Sequence, residues 1–223
     1  MPYEFSTARY KEVVNFLNTL PKNISILDVG CGTGNILDFI VKETGIQDVY
    51  GIDIDEEALQ IAKTRGFKVF NLSILDDLSK ELDMKFDVVI MGAVLHHLVG
   101  KTRNESIKLS YRALSNATEL LKYDGYLIIL EPTFQPFWLL SVVFYIKRFI
   151  SFFTRDRVVI LNYWNNLGPP VVSYFSPEKL LQVLDNFKEL NIIKIYQEKN
   201  DLTFLMKLFF LRKYQVLLIY QKS

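Results

Sequence analysis

From Asp28 to Asn35 the chain reads Asp28, Val29, Gly30, Cys31, Gly32, Thr33, Gly34, Asn35, and residue types at this spacing form a ligand cradle. Three glycines at alternate positions let the backbone turn tightly and a bound group approach closely, at the amino end of the helical run ILDFIVKE. Two details narrow the ligand. Asn35 stands where the dinucleotide fingerprint G-x-G-x-x-G wants its third glycine, and Asp28 lies two places before Gly30. A carboxylate there suits a ligand carrying an ammonium and a sulfonium rather than a pyrophosphate. Further on, Asp53 ends the next strand-like run, where a carboxylate can accept both hydroxyls of a ribose. Asp55 already supplies the cap of the following helix, which leaves Asp53 for a ligand.

His96 and His97 are the two histidines of the chain, and both close the run MGAVLHHL. Placed at the carboxyl end of a parallel strand, where ligands gather, a histidine can take a proton from an oxygen, nitrogen or activated carbon acceptor. The same pair can instead line a pocket or pack beneath a loop. Glu131 leaves the fifth strand-like run, where it either binds an acceptor hydroxyl or ammonium or, with Pro132, stops the strand.

The elements that must hold these residues follow from periodicity. Apolar residues at Tyr10, Val13, Val14, Leu17 and Leu20 recur at helical spacing after Ser6 and stop at Pro21, which predicts a leading helix. Short β-rich runs then alternate with amphipathic stretches: 24–29, 48–53, 68–72, 87–92 and 125–130. That alternation predicts parallel strands joined by crossover helices. The runs 24–29 and 87–92 are almost wholly apolar, as central strands covered on both faces are. After Glu131 comes a long aromatic insertion, then Pro169-Pro170, a helix start at Ser176-Pro177, and two more strand candidates at 191–196 and 215–220.

LDVGCGTG, VYGIDIDEEAL, FDVVIMGAVLHHL and LLKYDGYLIILEP, in that order, resemble the successive motifs of class I S-adenosylmethionine-dependent methyltransferases over roughly residues 5–132. The resemblance implies a Rossmann-like α/β fold. Its sheet has seven strands, mostly parallel with the last antiparallel, helices on both faces, and a helical insertion after the fifth strand. It implies S-adenosyl-L-methionine as cofactor, with Gly30, Gly32 and Gly34 facing its methionine part beside Asp28 and Cys31. Asp53 would hold the ribose with Ile54 next to it, while Ser73 and Ile74 would meet the adenine, and Gly92 would end the fourth strand at the pocket. Tyr10 and Arg9 either close over the methionine carboxylate or belong to a helix merely packed on the sheet. His96, His97 and Glu131 are the catalytic candidates, and no metal is expected.

Composition bounds the rest. The chain has 223 residues, enough for one sizeable core, so a single domain over 1–223 with a cap or lid at about 135–175 is expected. The single cysteine fits a reducing compartment, and the apolar-poor start MPYEFSTARYKEV carries no secretory signal, so a cytoplasmic location is expected. Lys and Arg number 14 against 19 Asp and Glu over residues 1–134, and 12 against 6 over residues 135–223. That asymmetry hints at an anionic surface partner. FWLLSVVFYIKRFISFF reads as a lid over the site, or as an interfacial element through 135–157 whose Lys147, Arg148 and Arg155 meet lipid headgroups. The expected activity is methyl transfer to a small-molecule or lipid-linked acceptor. Nucleic acid is disfavoured because MGAVLHHL lacks an N-P-P-Y type of motif. The alternative is a noncatalytic module retaining the fold.

Overall fold

The computed structural model describes residues 10–78, 80–154, 171–200 and 210–223. Ser6, Arg9, Arg155, the rest of the cap up to residue 170 and residues 201–209 lie outside them.

The chain alternates strands and helices as its periodicity predicts. In order they are α1 (Lys11–Leu17), β1 (Ile26–Val29), α2 (Asn35–Thr44), β2 (Val49–Asp53), α3 (Glu56–Thr64), β3 (Lys68–Asn71) and β4 (Phe86–Gly92). A 3-10 turn (Leu95–His97) precedes α4 (Arg103–Glu119), β5 (Leu121–Gln135), α5 (Phe137–Thr154), α6 (Pro177–Leu184), β6 (Leu190–Asn200) and β7 (Arg212–Lys222). The seven strands lie in the order β3-β2-β1-β4-β5-β7-β6. β1 to β5 run parallel, and β7 is inserted antiparallel between β5 and β6. This is the seven-stranded, Rossmann-like arrangement with its last strand reversed. Parallel pairing needs crossovers, and the helices that provide them bury each face of the sheet.

One apolar layer joins Leu27, Val29, Val89, Met91 and Leu127 to α4 and α6. The other joins Ile26, Val88, Ile90 and Ile128 to α1 and α2. Side chains alternate along a strand, so Asp28 points into the second layer beside Ile26.

β5 is longer than the run 125–130, because it continues through Glu131 and Pro132 to Gln135. Pro132 does not stop it. β4 ends its pairing at Leu130↔Gly92, so on that side no ladder bond is lost, while β7 continues alongside to Gln135↔Arg212. Ser176 accepts the Lys179 N–H with Pro177 in the first turn, so α6 begins where its sequence says. α5 follows β5 and packs Leu140 and Phe144 inward.

Lys147 shares that inward face and is 5% exposed, while Arg148 donates from Nη1 to the Gly100 carbonyl at 2.9 Å. Both members of the basic pair therefore contact the protein. An apolar stretch hides which of its helical faces is buried, and the structure assigns Lys147 to the inner one.

Candidate active site

The carboxyl ends of β1, β2, β4 and β5 carry the cradle. Gly30, Gly32 and Gly34 all have positive φ, at +74°, +51° and +80°, which only glycine adopts without strain. A side chain at Gly34 would also strike the Phe67 ring at 2.8 Å, whereas at Gly32 it would meet nothing within 4 Å. Gly32 is thus the open side of the loop. Its N–H donates to Asp53 Oδ2 at 2.7 Å, and the Asp55 N–H donates to Oδ1 at 2.9 Å. These two bonds fix the Asp53 carboxylate at the mouth of the loop. Asp55 caps α3 by accepting the Ala58 N–H at 3.1 Å, as its position implied. Ile54, directly after Asp53, is 75% exposed and offers a flat apolar surface.

Asp28 is 0% exposed, and among the described residues neither of its carboxyl oxygens has a hydrogen-bond partner. Burial, with Asp53 nearby, pushes its pKa well above the usual carboxylate range. An orphaned buried carboxyl is costly, and a cationic ligand relieves the cost. Gly92 lies against Tyr10, whose hydroxyl would be 2.5 Å from any added Cβ, so α1 reaches the end of β4. The open side at Gly32, the orphaned Asp28 and the fixed Asp53 together fit a ligand with a cationic end and a ribose.

Cys31 faces elsewhere. Its thiol lies where a Cβ on Gly51 would stand, and burial pushes its pKa up, so this residue presents only backbone to the cradle. Ile74 is likewise buried in the core and gives its carbonyl to Asn116. Ser73 holds the turn after β3, its Oγ accepting the Leu75 N–H at 3.1 Å.

The histidines and Glu131 meet. Glu131 is 1% exposed; its Oε1 accepts the Leu95 N–H at 2.6 Å and its Oε2 lies 2.7 Å from His96 Nδ1. Both oxygens are engaged, so Glu131 stands behind His96. A carboxylate partner assigns the proton to Nδ1 and leaves the lone pair on Nε2. His97 stacks at a tilt on His96 with ring centroids 4.2 Å apart. Desolvation by the surrounding protein, then His96, lower the His97 pKa against an opposing pull from Glu131.

Two residues escaped the sequence. Tyr174 stacks on the other side of His96 at 5.0 Å, and the Ser173 N–H donates to the His96 carbonyl at 2.8 Å. Arg103 holds that segment through Nη1 to Ser173 Oγ at 2.9 Å and Nη2 to the Tyr174 carbonyl at 2.7 Å. About 70 residues separate the partners, so no local spacing could signal the contact. Ala93, with φ +60°, begins the turn that brings the histidines up from β4. A positive φ at alanine costs about 1 to 2 kcal/mol, strain of the kind that collects at functional sites.

Residues 27–127 match the family model for a methyltransferase domain. The ribosomal protein L11 methyltransferase of Dictyoglomus turgidum is 29% identical over 131 residues, covering 56% of this chain and 40% of that protein. The chain spans less than half the length of the curated relatives it matches. Among solved structures, it resembles a SAM-dependent methyltransferase from Methanosarcina mazei with a TM-score of 0.64 at 20% identity, covering 96% of this chain and 97% of the other. It also resembles the N-methyltransferase NodS from Bradyrhizobium japonicum in complex with S-adenosyl-L-homocysteine. That TM-score is 0.59 at 14% identity, covering 96% of this chain and 88% of the other.

Proposed function

We propose that the chain is a class I S-adenosylmethionine-dependent methyltransferase that methylates a small-molecule or lipid-linked acceptor, with His96 as the base. The observation that carries this reading is the buried Glu131–His96 pair at the exit of β4 and β5, beside the glycine loop. Held by the glycine loop, Asp28 and Asp53, the cofactor would supply a methyl group activated on a positively charged sulfur, with a neutral thioether as leaving group.

The chain's own residues do the rest. Asp53 accepts from the ribose hydroxyls, and Asp28 compensates the cationic end. Glu131 holds the His96 proton on Nδ1, so Nε2 can take the proton that an acceptor oxygen, nitrogen or carbon must lose. Orientation alone supplies about 7 to 11 kcal/mol in well-aligned reactions, and a positioned base adds about 10²- to 10⁴-fold.

The acceptor type rests on the cap. On α5, Trp138, Val142, Tyr145, Ile146 and Phe149 are exposed and repeat at helical spacing, forming an apolar stripe on the outer face. A stripe of this kind suits contact with a lipid surface from which a lipid-linked acceptor is drawn. No described helix is long and apolar enough to cross a membrane.

The reading is tested by incubating the protein with methyl-labelled cofactor and separate aqueous and lipid extracts. Label in either fraction is expected, and label in neither would favour a noncatalytic module. Asp53→Ala should weaken cofactor binding at least about tenfold by calorimetry; unchanged affinity in a folded variant refutes the ribose assignment.

A further inference from the structure

Arg103, the first residue of α4, is 5% exposed, yet among the described residues its hydrogen-bond and ring partners are all uncharged. Nη1 and Nη2 go to a hydroxyl and a carbonyl. The Phe137 and Phe144 rings of α5 lie 4.8 and 5.8 Å from the guanidinium carbon, and Nε has no hydrogen-bond partner. Burial lowers its pKa to about 10, against an opposing pull from Tyr145.

A clamp between α4 and residues 173–174 needs only a neutral donor. A buried guanidinium with an unused N–H is costly even beside two aromatic rings, and a negative charge that reached it would relieve the cost. Its position says whose charge that would be. The Tyr174 carbonyl that accepts Nη2 belongs to the residue whose ring stacks on His96, so Arg103 is one residue's width from the base. Lys147, a second buried cation, lies on the inner face of α5.

We propose that Arg103 recognises an oxyanion, a carboxylate or phosphate, carried by the methyl acceptor. The inference rests on the methyl-transfer reading above. The acceptor it implies bears its nucleophilic atom a few bonds from the anion, whether as a free metabolite or a lipid headgroup. Guanidinium geometry favours such planar or multidentate oxyanions over halide.

Two arms test it. In the first, inorganic phosphate and acetate are titrated calorimetrically into protein saturated with S-adenosylhomocysteine, with chloride as the ionic-strength control. Saturable binding of at least one oxyanion is expected, weakened about tenfold or more in Arg103→Gln. Arg103→Lys should keep part of it. Ser173→Ala, which removes a clamp partner but leaves the cation, should keep most of it. Absence of saturable binding, or equal binding by Arg103→Gln, overturns the proposal.

In the second arm, methyl-labelled products are separated into anionic aqueous, anionic lipid and non-anionic fractions. Label in either anionic fraction supports the assignment and identifies its source. Label confined to the non-anionic fraction overturns it while leaving methyl transfer intact. Label in no fraction counts against methyl transfer, and the calorimetric arm then decides the anion site by itself.

Discussion

Asp28 sets a trade between stability and binding. Its folded-state pKa is raised above the unfolded value, so between those two values the folded protein holds the extra proton. Stability therefore falls as pH rises through that window. Asp28→Asn cannot ionise and should melt a few degrees above the wild type near neutral pH, with the gap closing toward about pH 4. The same variant should bind cofactor more weakly; a lower melting temperature at neutral pH with intact binding contradicts the account. His97 titrates the other way. Its pKa lies below the ordinary 6.5, so the ring is neutral at physiological pH, and protonation waits for more acid conditions. With His96 as base, His96→Ala should lose about 10²-fold or more in single-turnover rate. Full rates in His96→Ala, His97→Ala and the double variant would remove the base from the mechanism.

The strand–loop–helix unit from β1 to α2 was legible because its signals are local. Asp28, the three glycines and the helix they introduce lie within one short stretch, and each constrains its neighbours. The unit separates two uses of glycine that look alike in sequence. Gly34→Ala drives a methyl into Phe67 and should destabilise the fold by more than the roughly 1 to 2 kcal/mol of backbone strain. Gly32→Ala meets no neighbour, so it should cost only the strain while blocking ligand approach. Thermal melts and cofactor titration on both variants distinguish these effects, and equal loss of stability would show the loop to be closed at Gly32. Arg103 and Tyr174 were illegible because they meet only after α4, β5 and the cap have folded. The sequence left Lys147 open between a lid and a surface because α5 is apolar on nearly all sides, and periodicity alone could not say which side faces in. Pro132 reads as a strand stop only to a reader unaware that β4 has already ended at Gly92.

At the scale of the molecule, the outer face of α5 decides whether the protein meets a surface. With Lys147 buried and Arg148 bonded to Gly100, apolar insertion should dominate any association, and salt should weaken it only modestly. Flotation with phosphatidylglycerol–phosphatidylcholine vesicles should therefore succeed for the wild type and fall sharply in Trp138→Ser, Ile146→Ser. If the wild type stays with the free protein at low salt, folded and cofactor-competent, the stripe belongs to some other contact. The order of the sheet also carries a consequence in time. β6 precedes β7 along the chain but joins the sheet solely through it, and β7 joins through a ten-residue register with β5. During synthesis from the amino end, β6 emerges with Ile192, Ile193 and Ile195 before β7, its native partner, exists. The first five strands can close on local crossovers while the remaining third of the sheet waits. Half-made chains are then the sticky ones, and a pause in translation between β6 and β7 would be the moment of greatest danger.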